Sequence, residues 1–363
     1  MSRHRHDSAR PSLGGALIAV VMGLGLLTFA AELVLRVAMP NWREYYSGWF
    51  MEMAAPVPGL PPFTVGKPGF DGWFSQNNGD FRAHIRINEF GLRNDEPVTA
   101  ANGRLWVIGD SMAFGWGVQR DETYTQVIAD RLGWPAFNVA SPGTDICGYQ
   151  GLLRRMPSGT GPSAVVVGLI LENDMRVYDC AEEGKAPPPV TDNQDGPFSS
   201  LIHFKRFLTR HLALYNFFAV SLKRVDMVAH AMVRFGLVEP DHQFHVRIDA
   251  TKLDEVVIST AKALGDLRSM VPAETPFVVL VAPARFEIRD DAPFFKAMRE
   301  KMIAALAAEG VAAVDPIAEF KQAGFAPTHF MHDGHWSALG HRIAGETVTQ
   351  WFRANTTLVA GQK

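Results

Sequence analysis

The chain has 363 residues, enough for one large α/β domain or two small ones and for a sizeable core without staples. Hydrophobic residues make up 47% and charged residues 20%, which excludes the polar, charge-rich composition of disordered chains. The net charge of -3, with no long Lys/Arg stripe beyond the N-terminus, gives no electrostatic ground for nucleic-acid binding.

Leu13 to Ala31 is a run of 19 uncharged, mostly apolar residues, close to the roughly 20 a helix needs to cross a hydrocarbon core. Arg3, Arg5 and Arg10 precede it. In a bacterial-type inner membrane that basic flank stays cytoplasmic, so a single-pass anchor sends everything after Pro40 to the periplasmic side. A cleaved signal peptide is the alternative, since Thr28-Phe29-Ala30 fits a small-x-small site, although apolar character resumes at Leu33 to Leu35. Glu32 falls at the outer edge of the span, within reach of water. The expected organisation is a cytoplasmic tail at 1–12, the anchor at 13–39, an extracytoplasmic linker and β-rich lead-in at 40–100, and the main domain at 101–358.

Pro40 to Pro62, with Pro-Val-Pro-Gly-Leu-Pro-Pro, predicts an extended spacer. Its aromatics, Trp42, Tyr45, Tyr46, Trp49 and Phe50, suit either a headgroup layer or packing on the domain. Phe81 to Ile87 alternates apolar and charged or polar residues, the period of a half-buried strand, before a turn at Asn88–Gly91. After Gly103 short apolar runs alternate with helical patterns, which predicts βαβ units and a parallel sheet. The strands are Leu105 to Ile108, Ala136 to Ala140, Ala164 to Ile170, Phe277 to Val281 and Val311 to Val314. Helices are expected near Thr123 to Leu132, Leu253 to Leu267, Phe294 to Glu309 with Gly310 as its stop, and Ala338 to Phe352. The fold class is therefore α/β, a flavodoxin-like three-layer sandwich around about five parallel strands. A stretch at about 181–250, helix-prone from Leu201 to Phe235, breaks the alternation and reads either as a cap over the site or as a longer crossover on the sheet's face.

Gly109-Asp110-Ser111 stands between an apolar strand and a helical stretch, where an α/β sheet presents reactive side chains; a serine there also serves as a plain helix cap. The longer string Gly109 to Val118 resembles the first block of the SGNH (GDSL-type) hydrolases. Asn138-Val-Ala-Ser-Pro-Gly143 is similar to the second block, Glu172-Asn173-Asp174 to the third, and Asp333-Gly334-His335-Trp336 to the fifth. The resemblance runs from about Arg104 to Glu346, interrupted by the insertion. It implies Ser111 as nucleophile, His335 and Asp333 as its triad partners, and an oxyanion hole of the Ser111 and Gly143 N–H groups and the Asn173 side chain, with Asp110 and Asp174 supporting. Gly143 is equally explained by a turn after Pro142.

Those residue types suit acyl transfer whatever the family. A serine hydroxyl needs a neighbouring base, an imidazole needs an orienting carboxylate, and the tetrahedral oxyanion needs preorganised donors. Two departures stand out: Leu171 replaces the usual glycine of the third block, and the Asp333-x-His335 spacing is shorter than the usual Asp-x-x-His. The shorter spacing is similar to that of SGNH enzymes that O-acetylate polysaccharides. The expected function is thus serine-dependent ester hydrolysis or acyl transfer on an ester-bearing small molecule, lipid or glycan of the envelope, without a cofactor. The alternatives are a polysaccharide O-acetyltransferase or a non-catalytic envelope binding or assembly module on the same scaffold.

His329, His332, His335 and His341 lie close in sequence, but Gly334 interrupts any shared helix face and no second ligand cluster completes a site, so no metal is expected. Cys147 and Cys180 are the only cysteines. On an oxidising side of a membrane they form a candidate disulfide joining the loops after Gly143 and Asn173; two separate buried thiols are the other reading.

Overall fold

A computed structural model describes residues 13–45, 47–75, 79–185, 204, 207–224, 250–331 and 333–356. Four short strands precede the main sheet. β1 (Met51–Met53) pairs antiparallel with β2 (Thr64–Gly66), and β3 (Asp71–Ser75) with β4 (Arg82–Arg86). In β4 the expected alternation holds, with Ala83 and Ile85 buried and Arg82 and Arg86 exposed. The turn after it closes on Asn88, whose side-chain oxygen accepts from the N–H groups of Phe90 and Leu92.

The main sheet contains β5 (Leu105–Ile108), β6 (Ala136–Asn138), β7 (Ala164–Ile170), β8 (Phe277–Ala282) and β9 (Ala312–Val314), all parallel, in the order β6-β5-β7-β8-β9. Every residue of β5, β7 and β8 is buried, as continuous apolar runs require when helices cover both faces. Successive side chains alternate between two cores. On one face Trp106, Val165, Val167 and Val279 meet the helices Ile146–Arg155, Leu253–Ser269 and Pro293–Ala308. On the other, Leu105, Val107, Val166 and Leu280 meet Tyr124–Leu132 and Ala338–Asn355. The result is the expected three-layer α/β sandwich, with the doubly wound strand order whose switch point lies between β5 and β7.

The expected strand over Ala136 to Ala140 stops at Asn138. There the Asn138 side chain donates to the Ala113 carbonyl and accepts from Ala140 N, while Val139 N and Ser141 N still donate to the Val107 and Gly109 carbonyls. The expected spacer at Pro40 to Pro62 is not extended. Its prolines limit it to short pieces, but Trp42, Phe50 and Leu60 are buried against the domain, and 42–45 and 47–49 form single turns.

The N-terminal helix Leu13–Ala38 is apolar and bare along most of its length. Among the described residues Gly14–Ala38 is the one helix long and apolar enough to cross a membrane. Of the insertion, residues 207–211 and Ala213–Arg224 are helical, and the latter helix packs on the N-terminal helix and on the 42–45 turn. Neither expected placement describes this packing. Much of the Leu201 to Phe235 stretch, together with 1–12, Tyr46 and His332, lies outside the described residues.

Candidate active site

Ser111 opens a four-residue helix directly after β5. Asp110 caps that helix, its Oδ1 accepting from Met112 N at 2.9 Å. Gly109 is needed for close approach: a Cβ there would lie 2.6 Å from the Ala113 Cβ and 3.3 Å from the Gly168 carbonyl of the neighbouring strand. The serine is therefore lifted at the carboxyl edge of the sheet, at the switch point.

His335 and Asp333 arrive from the other end of the chain, on the loop before the last helix. His335 Nε2 lies 2.7 Å from Ser111 Oγ, and His335 Nδ1 is hydrogen-bonded to Asp333 Oδ1. The short Asp-x-His spacing reaches this geometry because Gly334 takes φ 82° and turns the backbone between the two side chains. All three residues are buried, with Ser111 and His335 retaining slight exposure.

The two other expected oxyanion donors come from adjacent strand ends. Asn173 follows β7, and its Nδ2 donates to Asp110 Oδ2 at 2.8 Å. That bond uses one of the two amide hydrogens and leaves the second. Gly143, in the loop after β6, has φ 73°, a conformation side chains resist. Ser141 Oγ donates to Thr64 O at 2.7 Å, and Thr64 Oγ1 bonds the Pro142 carbonyl, so β2 braces the loop from outside the sheet. Leu171, at the position of the usual glycine, is buried in the core rather than disturbing Asn173.

Two carboxyls sit beneath these loops. Burial raises the pKa of Asp110, opposed by its bonds to Met112 N and Asn173 and by the nearness of His335. Burial and then the Asp110 charge push Asp174 well up; it is held by Ile170 N and Tyr149 Oη at 2.8 and 3.1 Å. Burial thus raises both carboxyls, Asp174 the further of the two.

Cys147 and Cys180 form a disulfide with a Cα separation of 5.3 Å. β6 and β7 flank β5 without touching. The bridge still closes, because each cysteine lies at the start of a helix that follows the strand end: Ile146–Arg155 and Cys180–Glu183. Arg176 adds to the tie, bonding Asp145 at 2.6 Å and Glu183 at 2.7 Å.

The clustered histidines part company. His329 bonds Thr328 Oγ1, and His341 Nδ1 accepts from Tyr124 N at 3.3 Å; burial drops the pKa of each to about 3. Among the described residues no three His, Cys, Asp or Glu side chains converge as metal ligands; His332 is not among them.

Several contributors escaped the sequence reading. The Trp116 ring stacks on His335 with centroids 5.7 Å apart and is itself held by Phe74 at 4.6 Å and Phe50 at 6.0 Å. Buried Arg93 donates to the carbonyls of Phe114, Gly115, Val118 and His84, fastening the chain that follows the serine. Asn94 pairs with the backbone of Asn138 on the edge strand. Trp116 lies within Gly109–Val118, so its place beside the serine is visible in that string, whereas nothing local marks Arg93 or Asn94.

No protein-family model matches the chain, and neither does any curated protein. Solved structures do. One is a lipolytic protein of the G-D-S-L family from Veillonella parvula, 11% identical with a TM-score of 0.38, covering 69% of this chain and 97% of that one. Another is a lipase/acylhydrolase from Enterococcus faecalis, 12% identical with a TM-score of 0.37, covering 69% and 96%. A third is a carbohydrate esterase family 2 enzyme with a carbohydrate-binding domain from Corynascus thermopiles, 16% identical with a TM-score of 0.36, covering 69% and 66%. At such identities and TM-scores these likenesses carry no argument about activity, which must come from the residues themselves.

Proposed function

We propose that the chain is a serine-dependent esterase or O-acyltransferase, anchored by its N-terminal helix in the inner membrane with the catalytic domain in the periplasm. The observation that carries the reading is the continuous chain Ser111 Oγ, His335 Nε2, His335 Nδ1, Asp333 Oδ1 at the switch point of the sheet.

In this reading Ser111 Oγ attacks an ester carbonyl as His335 Nε2 takes its proton, and Asp333 holds the imidazole with Nε2 facing the serine. The carbonyl oxygen becomes an oxyanion, met by the N–H groups of Ser111 and Gly143 and by the second hydrogen of the Asn173 amide. His335 returns the proton to the departing alcohol, leaving an acyl group on Ser111. Water or a sugar hydroxyl, deprotonated by His335, then takes the acyl group and frees the serine. The supporting role of Asp110 is to aim Asn173, and that of Asp174 is to pin the backbone of Ile170. None of these steps calls for a cofactor.

The surroundings of the site support a compartment and a substrate class. The apolar helix supports a membrane attachment, and the disulfide supports an oxidising compartment. Ester-bearing envelope glycans or lipids are the substrates within reach of such a site. Fluorophosphonate labelling of the purified full chain tests the reading: labelling at Ser111, lost in Ser111→Ala, is expected. An unlabelled wild-type protein would favour a non-catalytic binding module. Product analysis with acetylated sugars and short acyl esters then separates hydrolysis from transfer.

A further inference from the structure

Glu32 is buried, although it belongs to the otherwise bare N-terminal helix. Its Oε1 accepts from Ala213 N at 2.9 Å and its Oε2 from Leu214 N at 2.7 Å, so it caps the start of the helix Ala213–Arg224 from another element. One turn on, Arg36 pairs with Glu32 at 2.8 Å and donates to His211 O at 2.8 Å. Residues 211–214 are thereby held at the level of residues 32–36.

That level has a physical meaning. Gly14 to Ala31 carries no charge and spans about 27 Å at 1.5 Å per residue, close to the roughly 30 Å of a hydrocarbon core. The first ionisable residues after it, Glu32 and Arg36, therefore mark the outer boundary of the apolar layer. At the same level, Ala213 and Asn216 turn inward, while Phe217 and Phe218 are exposed, as are Phe204 and Phe207 just before the helix. Trp49 is exposed beside them, with the Arg210 guanidinium 5.3 Å over its ring. Aromatic rings next to arginines are the composition of a membrane–water interface, and four exposed phenylalanines would otherwise face water.

We propose that the described insertion residues around the helix Ala213–Arg224 lie in the outer headgroup layer of the bilayer, clamped to the anchor by Glu32 and Arg36, with Phe204, Phe207, Phe217 and Phe218 in contact with phospholipid. The inference rests on the anchor reading above. It makes this part of the insertion a second membrane contact, which together with the anchor restricts how the domain can turn above the bilayer.

The test uses the full chain in vesicles of phosphatidylethanolamine and phosphatidylglycerol, with p-benzoyl-phenylalanine placed singly at positions 24, 218 and 258. Leu24 lies within the apolar span. Ile258, 64% exposed, lies on the helix layer across the sheet from the Phe50 cluster. After irradiation, lipid adducts are counted by mass spectrometry. Positions 24 and 218 should each exceed position 258 by at least about fivefold. Adducts at 24 with position 218 no higher than 258 would overturn the interfacial helix and leave the anchor standing. No adducts at 24 would remove the anchor and this inference together. Glu32→Ala should lower the yield at 218 by about threefold without changing that at 24; an unchanged yield would overturn the clamp.

Discussion

The sheet edge that carries Ser111 and the region around the N-terminal helix are built on different principles. At the edge, Ser111, Gly143 and Asn173 each follow a strand of one parallel sheet, so the sheet itself brings them together. Near the N-terminal helix, Glu32 meets Ala213 and Trp49 meets Arg210, joining elements that share no ladder. The second depends on individual side chains, and the first takes such ties as well, from Thr64, Arg93 and Asn94.

The sharpest way to break the comparison is to remove the chemistry while sparing the scaffold. Ser111→Ala or His335→Ala should lower turnover of an ester substrate by on the order of 10⁴-fold or more, with unchanged circular dichroism, since residues acting as one unit are lost together. Activity within about tenfold of wild type would sink the assignment. Equal loss from His332→Ala would reopen the choice of base.

Next in size is the oxyanion donor. Asn173→Ala should reduce kcat by about 100- to 1,000-fold with little change in KM, because its amide is proposed to meet charge that exists only in the transition state. A large rise in KM at constant kcat would assign Asn173 to substrate binding instead.

The disulfide lies where the two regions meet, joining the loop after Gly143 to the root of the insertion. Replacing both cysteines, Cys147→Ser with Cys180→Ser, should cost about 4 kcal/mol of stability for a bridge spanning 33 residues. Urea unfolding in detergent reads this. A loss of catalysis beyond that expected from stability would show that the bridge also aligns the oxyanion loops.

The smallest effect concerns His341, held neutral in the core behind the site. Its folded pKa of about 3 lies below the ordinary 6.5, so between those values the unfolded chain binds the extra proton. The stability associated with the neutral ring is complete above about pH 6.5 and is lost as pH falls through that window. His341→Asn removes this dependence. The stability advantage of wild type over the variant should therefore shrink by about 2 kcal/mol between pH 7 and 5. A gap that stays constant would mean that the ring is solvated.

How much of this was legible in the residues differs between the two regions. β5, β7 and β8 were readable because a strand covered on both faces must be apolar throughout, and Ala164–Ile170 matches its expected bounds. The convergence of Ser111, Asn173 and His335 at one edge was legible because strand ends and helix starts leave local signatures. The spacer misled because a Pro-rich composition excludes helix but says nothing about what the chain packs on, and Phe50 and Trp42 found the domain.

The sequence by itself determined the α/β layering, the strand order's raw material, the apolar N-terminal helix and the residues brought to the serine. Tertiary structure alone decided that Trp116 covers His335, that Thr64 and Arg93 hold the loops, and that Glu32 caps a helix 181 residues away. Periodicity reports which way a side chain faces. It does not report which distant group waits there, because that partner is selected by the packing of whole elements.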